Sequence, residues 1–234
     1  MSKFIYKNEF EFEYGLNTFK PTSTSELLLE TILKDKSNLG KTLDIGTGVG
    51  FIILMLDLYN KIEIGSCASD LSQENIKFCK INSKNFKSKI EIKLGSLFEP
   101  WQNYKFDTII NDISGVVPKI AAYSGWFNGV PIECGEDGAD LTIEFLEKSL
   151  NYLEKFGILY TPILSLQNEN RIFKTIDKMG LKYEVLSSKY WFLPEIICSK
   201  VDLLTELTSL GYIRLEKKFG RYCWYTSVLR LERV

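Results

Sequence analysis

The stretch KTLDIGTGVGFIILML, residues 41–56, constrains this chain more than any other. An apolar run ends at Asp44, Gly46, Gly48 and Gly50 follow it directly, and a second apolar run opens at Phe51. A strand that passes through a glycine turn into a helix is the first unit of an open parallel sheet, where ligands bind beyond the carboxyl ends of the strands. Glycine lets the backbone turn tightly there and approach a ligand closely. The spacing is Gly46-x-Gly48-x-Gly50, and Phe51 stands where the last glycine of a dinucleotide fingerprint would fall, so NAD(P) is the weaker reading.

The pattern on either side continues the unit. Residues 3–20 alternate and read as a short strand pair, and Ser23-Thr24-Ser25-Glu26 reads as a capping box opening a helix through Leu33. After the turn come a helix from 51 to about 59, a strand around 62–68 ending at Asp70, and a helix capped by Ser72. Strands are expected at 89–94, 106–111 and 157–164, with a helix at 141–153 before the last of them. A helix at 168–179 closed by Gly180, a strand at 181–187, a helix at 195–210 closed by Gly211, and a strand pair at 213–217 and 223–231 complete the chain. This alternation predicts an α/β fold: a doubly wound, Rossmann-like, seven-stranded, mostly parallel sheet with a short N-terminal strand pair.

Composition narrows the chemistry. Lys and Arg number 29 against 30 Asp and Glu, so the net charge of −1 exerts no global pull on nucleic acid or anionic membrane. The lysines between Lys77 and Lys93 read as the solvated face of a helix. Five cysteines without a C-x-x-C pair suggest reduced thiols in a cytosolic protein, and no disulfide framework or metal cluster is expected. There is no histidine, which removes the commonest general base and metal ligand. No signal-peptide or membrane-spanning pattern is present, so a cytoplasmic protein without a membrane partner is expected, as monomer or homodimer.

An acidic residue, one spacer and G-x-G-x-G make residues 44–50 resemble the first motif of class I S-adenosylmethionine-dependent methyltransferases. That cofactor carries an ammonium and a sulfonium, so an acid at the strand end makes electrostatic sense where a phosphate site would avoid one. The resemblance implies S-adenosylmethionine as cofactor, held by Asp44, Gly46, Thr47, Gly48 and Gly50. It also implies Asp70 accepting both ribose hydroxyls beside Leu71; the alternative for Asp70 is an Asx turn ahead of the helix. Relatives read G-D-L-F-E-P where this chain has GSLFEP, so Ser96 replaces the acid near the adenine amine, with Leu97 and Phe98 to flank the purine.

FKPTSTSELLLE at 19–30 and GEDGADLTIEFLEKSLNYLEKFGILY at 135–160 look like segments of the release-factor glutamine methyltransferase family and its small-domain cousins. The resemblance covers about residues 18–165 and implies a methyltransferase fold, so the chain is expected to divide into the strand pair and lead-in segment at 1–22 and a methyltransferase domain at 23–234. The family's N-P-P-Y is here Asn111-Asp112-Ile113-Ser114, which retains the Asn and loses both prolines and the stacking ring. Release-factor methylation is therefore not carried over. Asn111 is expected at both cofactor and acceptor, and Asp112 to take a proton or hold an amine; the alternative for Asp112 is a solvated turn residue.

Tyr123, Trp126 and Phe127 stand downstream where relatives build the substrate wall, with Glu136 and Asp137 at the same mouth; the alternatives are rings that anchor the loop to the core and acids in a surface turn. Tyr190, Trp191 and Phe192 form a lid, a dimer contact or packing over the sheet edge. The expected reaction is methyl transfer to a small-molecule or peptide acceptor, at nitrogen. A nucleic-acid base methyltransferase is the runner-up, which the near-neutral charge disfavours. A non-catalytic binding subunit of the same fold is the third reading.

Overall fold

The computed structural model describes residues 2–113, 115–127 and 134–233. Strands β1 (Ser2–Tyr6) and β2 (Phe10–Tyr14) form the expected antiparallel pair. Lys7 and Asn8 turn between them in the left-handed region, at φ +52° and +57°. The inward rings Phe4, Tyr6 and Phe12 meet Phe51 at centroid distances of 5.4, 5.1 and 5.4 Å, so the pair packs on the start of the helix behind the glycine turn.

Helix α1 (Ser23–Lys34) begins one residue earlier than expected, with Thr22 as its cap. Thr22 Oγ1 accepts from the main-chain N–H groups of Thr24 and Ser25, and Ser25 Oγ accepts from that of Thr22. Ser25 thus fills the third position of the box, where a longer Glu or Gln is usual.

The main sheet contains β3 (Thr42–Ile45), β4 (Cys67–Asp70), β5 (Glu91–Leu94), β6 (Phe106–Asn111), β7 (Leu153–Leu164), β8 (Leu181–Phe192), β9 (Glu216–Lys218) and β10 (Arg221–Arg233). Seven strands follow the order β5-β4-β3-β6-β7-β10-β8, and short β9 adds an eighth by pairing with the start of β10. The first five run parallel, while β10 is antiparallel to β7 and to β8. The helices are α2 (Phe51–Leu58), α3 (Gln73–Asn85), α4 (Pro118–Ser124), α5 (Asp140–Ser149), α6 (Glu169–Lys178), α7 (Glu195–Cys198) and α8 (Val201–Ser209).

Alternate residues of the central strands feed opposite layers. Ile109 and Leu159 pack into a core with Phe145 of α5 and Ile172 of α6, whereas Ile110 and Tyr160 pack with Leu28 of α1 and Leu54 of α2. A third cluster joins α4, α7 and α8 to Leu164 and Trp224 at the carboxyl end of β7.

Several boundaries differ from the sequence reading. Leu153 opens β7 instead of closing α5, because an apolar residue at core spacing satisfies strand and helix alike. The strand expected at 181–187 runs on to Phe192, so Tyr190, Trp191 and Phe192 lie within β8. Residues 195–210 split into α7 and α8 at Ser199 and Lys200, and α4 folds where a loop was expected.

Gly50, the cap of α2, sits at φ +89°, and a Cβ there would fall 2.8 Å from both Cys79 Sγ and Leu54 Cδ1. Gly50→Ala is expected to destabilise the fold by about 2–4 kcal/mol through left-handed strain and overpacking. An unchanged urea midpoint would contradict this packing of the turn.

Candidate functional site

The parallel strands β3, β4 and β6 all end at one rim of the sheet, and each delivers a carboxylate there. Asp44 in β3 is fully buried, Asp70 ends β4 at 9% exposure, and Asp112 follows β6 half-buried. The glycine turn crosses this rim. The N–H groups of Gly46 and Thr47 donate to Ser69 O at 3.0 and 3.1 Å, and that of Gly48 donates to Asp70 Oδ2 at 2.9 Å. Gly46 lies against Ile113, whose Cγ2 would be 2.5 Å from an added Cβ.

Each carboxylate has its own partners. Thr47 Oγ1 donates to Asp44 Oδ2 at 2.6 Å, while Asp44 Oδ1 is buried without a hydrogen bond among the described residues. Asp70 Oδ1 accepts from Ser72 N at 2.8 Å and Asn75 Nδ2 at 3.0 Å. A carboxylate has about four acceptor positions, so with Gly48 counted Asp70 keeps one, on Oδ2, where the sequence suggested room for two ribose hydroxyls. Its Asx-turn role and its place at the rim coexist. Asp112 Oδ2 accepts from Ser25 Oγ at 2.7 Å, and the Asp112 N–H donates to Ile45 O at 3.1 Å.

Two cavities meet at this rim. The first, about 240 Å³, is bordered by Gly46, Asp70, Leu71, Ser96 and Leu97, all expected at the cofactor, and by Leu141. The second, about 370 Å³, is walled by Trp126, Trp191, Phe192, Pro162 and Trp224, with Thr22, Ser23 and Thr24 at the start of α1. Phe19, Asp112, Ile113 and Phe127 border both.

The other expected site residues fall elsewhere. Thr47, Gly48 and Asp44 stand behind the first cavity and reach its wall through the bonds above, while Gly50 packs on Cys79. Asn111 is 1% exposed and borders neither cavity; its Nδ2 donates to Thr161 Oγ1 at 2.8 Å and its Oδ1 accepts from Ile113 N at 2.9 Å. Tyr123 faces solvent from α4, with Lys200 Nζ 4.8 Å from its ring centre, and Glu136 is exposed away from both cavities.

Asp137 is held by Arg171 Nη1 at 2.8 Å and Asn168 Nδ2 at 2.9 Å, so the segment expected at the mouth clamps its loop to α6. Phe98, expected to flank the purine, stacks on Tyr152 at 4.5 Å in the core and borders neither cavity. The sequence reading missed Phe19, Trp224 and the α1 hydroxyls as wall residues. The F-x-P segment is a sequence signal for the first, whereas Trp224 reaches the wall through its cross-strand pairing with Trp191, which no local signal announces.

Burial dominates the electrostatics. It pushes the Asp44 carboxyl up to about 8, opposed by the Thr47 hydroxyl and reinforced by the charges of Asp112 and Asp70. It pushes Asp112 up to about 7 against the Ser25 hydroxyl, and raises Asp70 against its three donors. The folded state therefore holds protons on Asp44 and Asp112 that the unfolded chain, titrating near about 4, has released. Their stabilising contribution is full below about pH 4 and is lost as pH rises through about 7–8. Asp44→Asn is expected to raise stability more at pH 8 than at pH 5 in urea unfolding; equal differences at the two values would contradict the burial of this charge.

Residues 20–112 match the family model described as methyltransferase small domain. No curated protein sequence matches the chain. Among solved structures, a methyltransferase from Pyrococcus furiosus superposes with a TM-score of 0.59 at 16% identity, covering 95% of this chain and 89% of that one. M. jannaschii TYW2, in complex with AdoMet, gives 0.57 at 15% identity, covering 99% and 87%. The E. cuniculi Mtq2–Trm112 complex, responsible for methylation of the eRF1 termination factor, gives 0.54 at 13% identity, covering 93% and 99%. The chain shares the fold of these methyltransferases, and its residues 20–112 match the methyltransferase small domain model.

Proposed function

We propose that this enzyme, whose methyl donor is S-adenosylmethionine, methylates a nitrogen of a small-molecule or peptide acceptor held in the aromatic cavity. The observation that carries this reading is the shared wall. Donor and acceptor cavities that meet at Phe19, Asp112, Ile113 and Phe127 bring two reactants together at one point.

The residues present fit the donor. S-adenosylmethionine supplies an electrophilic methyl on a sulfonium and a second positive charge on its ammonium. Asp44, with a buried Oδ1 that no described residue satisfies, and Asp70 and Asp112 beside it make the rim favourable to a cation. Asp70 Oδ2 keeps one position for a ribose hydroxyl, Leu71 and Leu97 offer apolar surface to the purine, and Ser96 offers a hydroxyl at its edge.

Methyl transfer is an in-line displacement, for which the protein supplies orientation and exclusion of water. Asp112 stands where the acceptor nitrogen must sit. Asn111 acts from behind it, holding the Ile113 N–H and Thr161 so that the turn after β6 keeps its shape. The acceptor cavity has no Lys or Arg among its described lining residues, so nothing in it favours a nucleic-acid backbone over a small acceptor.

S-adenosylmethionine and its demethylated product are expected to raise the melting temperature by mass action, and NAD to leave it unchanged. Label from methyl-tritiated S-adenosylmethionine, supplied with cell extract, is expected in the metabolite or peptide fraction. No thermal shift at millimolar ligand, or label confined to RNA, would contradict this function.

A further inference from the structure

The acceptor cavity is unusual in what it lacks. Three of the four tryptophans of the chain, Trp126, Trp191 and Trp224, line it together with phenylalanines, yet Asp112 is the single charged residue among its described lining. Aromatic faces carry negative charge density and attract cations, and a carboxylate adds the stronger, directional half of the same preference. The α1 N-terminus at the border does not reverse that sign. Its early N–H groups at Thr24 and Ser25 are already taken by Thr22 Oγ1, in a box that Ser25 closes.

Asp112 is oriented for a ligand. Ser25 Oγ holds Oδ2 at 2.7 Å, and Oδ1 has no donor among the described residues. A carboxylate or phosphate ligand would meet Asp112 without a compensating cation, and a neutral ligand would leave the Asp112 carboxylate without an opposite charge.

We propose that the methyl acceptor is an apolar amine, a primary or secondary amino group on an aromatic or branched hydrocarbon body, with its nitrogen on Asp112 and its body against the three tryptophans. This rests on the reading of the two cavities as donor and acceptor sites. The amine enters as an ammonium ion and passes one proton to Asp112, which frees the nitrogen lone pair for methylation. Overall, the ammonium ion and the sulfonium donor give the methylated ammonium ion, a thioether and one proton, which leaves Asp112 for water. Among the described residues Asp44, from β3, is the titratable group that interacts electrostatically with Asp112, and burial already brings the Asp112 carboxyl up to about 7, within reach of taking and returning that proton.

The test compares 2-phenylethylamine, 2-phenylethanol and phenylacetate, titrated by calorimetry into the full chain at pH 7.5 with saturating S-adenosylhomocysteine. The amine is expected to bind at least about 10-fold tighter than the alcohol, and phenylacetate weakest of the three. Asp112→Asn, shown folded by circular dichroism, is expected to abolish the amine preference and leave the alcohol within about twofold. Equal or tighter binding of the alcohol or the acid, no binding of any probe at millimolar concentration, or a preference that survives Asp112→Asn would overturn the proposal. The comparison on the unsubstituted chain decides the matter even if that variant does not fold. Failure of S-adenosylhomocysteine itself to bind would instead remove the reading beneath the proposal, and the proposal with it.

Discussion

Three buried or half-buried carboxylates stand at neighbouring strand ends with no lysine or arginine paired to them among the described residues, and the rest of the site follows from that constraint. Elsewhere the chain treats a buried acid differently. Asp137 is held by Arg171 at 2.8 Å, and Asp35 by Arg230 at 3.5 Å together with the Tyr160 hydroxyl at 2.7 Å. Leaving a carboxylate in a dry environment without a cation is expensive, and the group answers by holding its proton. Asp44 and Asp112 do so. A ligand bearing positive charge converts that cost into affinity, which a phosphate-bearing cofactor at the same rim would not.

The architecture around the rim serves to keep it in place. The N-terminal strand pair covers Phe51 and fixes the start of α2, which fixes the glycine turn. Helix α1 brings Ser25 to Asp112, so one residue both completes a helix cap and orients a site carboxylate. The third apolar cluster, from α4, α7 and α8, backs the aromatic cavity through Trp224 and Leu164.

Features encoded within a few residues of one another were legible in the sequence. Asp44 and the glycine turn between β3 and α2, and Asp70 ahead of a helix capped by Ser72, carry local signals that match the observed elements, although β4 is confined to Cys67–Asp70. Features that depend on pairing between distant segments were not legible. Trp191 and Trp224 face one another only because β8 and β10 pair in that register, and nothing within 181–192 announces that the strand continues past Ser187. Asn111 reads as a contact residue from the motif position that it shares with the resembled family. Its amide instead turns to Thr161 on β7, a partner 50 positions away. Tyr123 stands beside the wall residues in sequence, but helix α4 turns it outward.

The most direct measure of the account is proton release on binding of S-adenosylmethionine, from calorimetry at pH 7 in buffers of different ionisation enthalpy. If unpaired Asp44 and Asp112 keep their protons until a cation arrives, binding lowers their affinity for protons and the chain releases a fraction of one or more to the buffer. Asp44→Asn would reduce that release. Binding with no proton exchange, or with net uptake, would contradict the claim that these carboxylates are held for a cationic ligand.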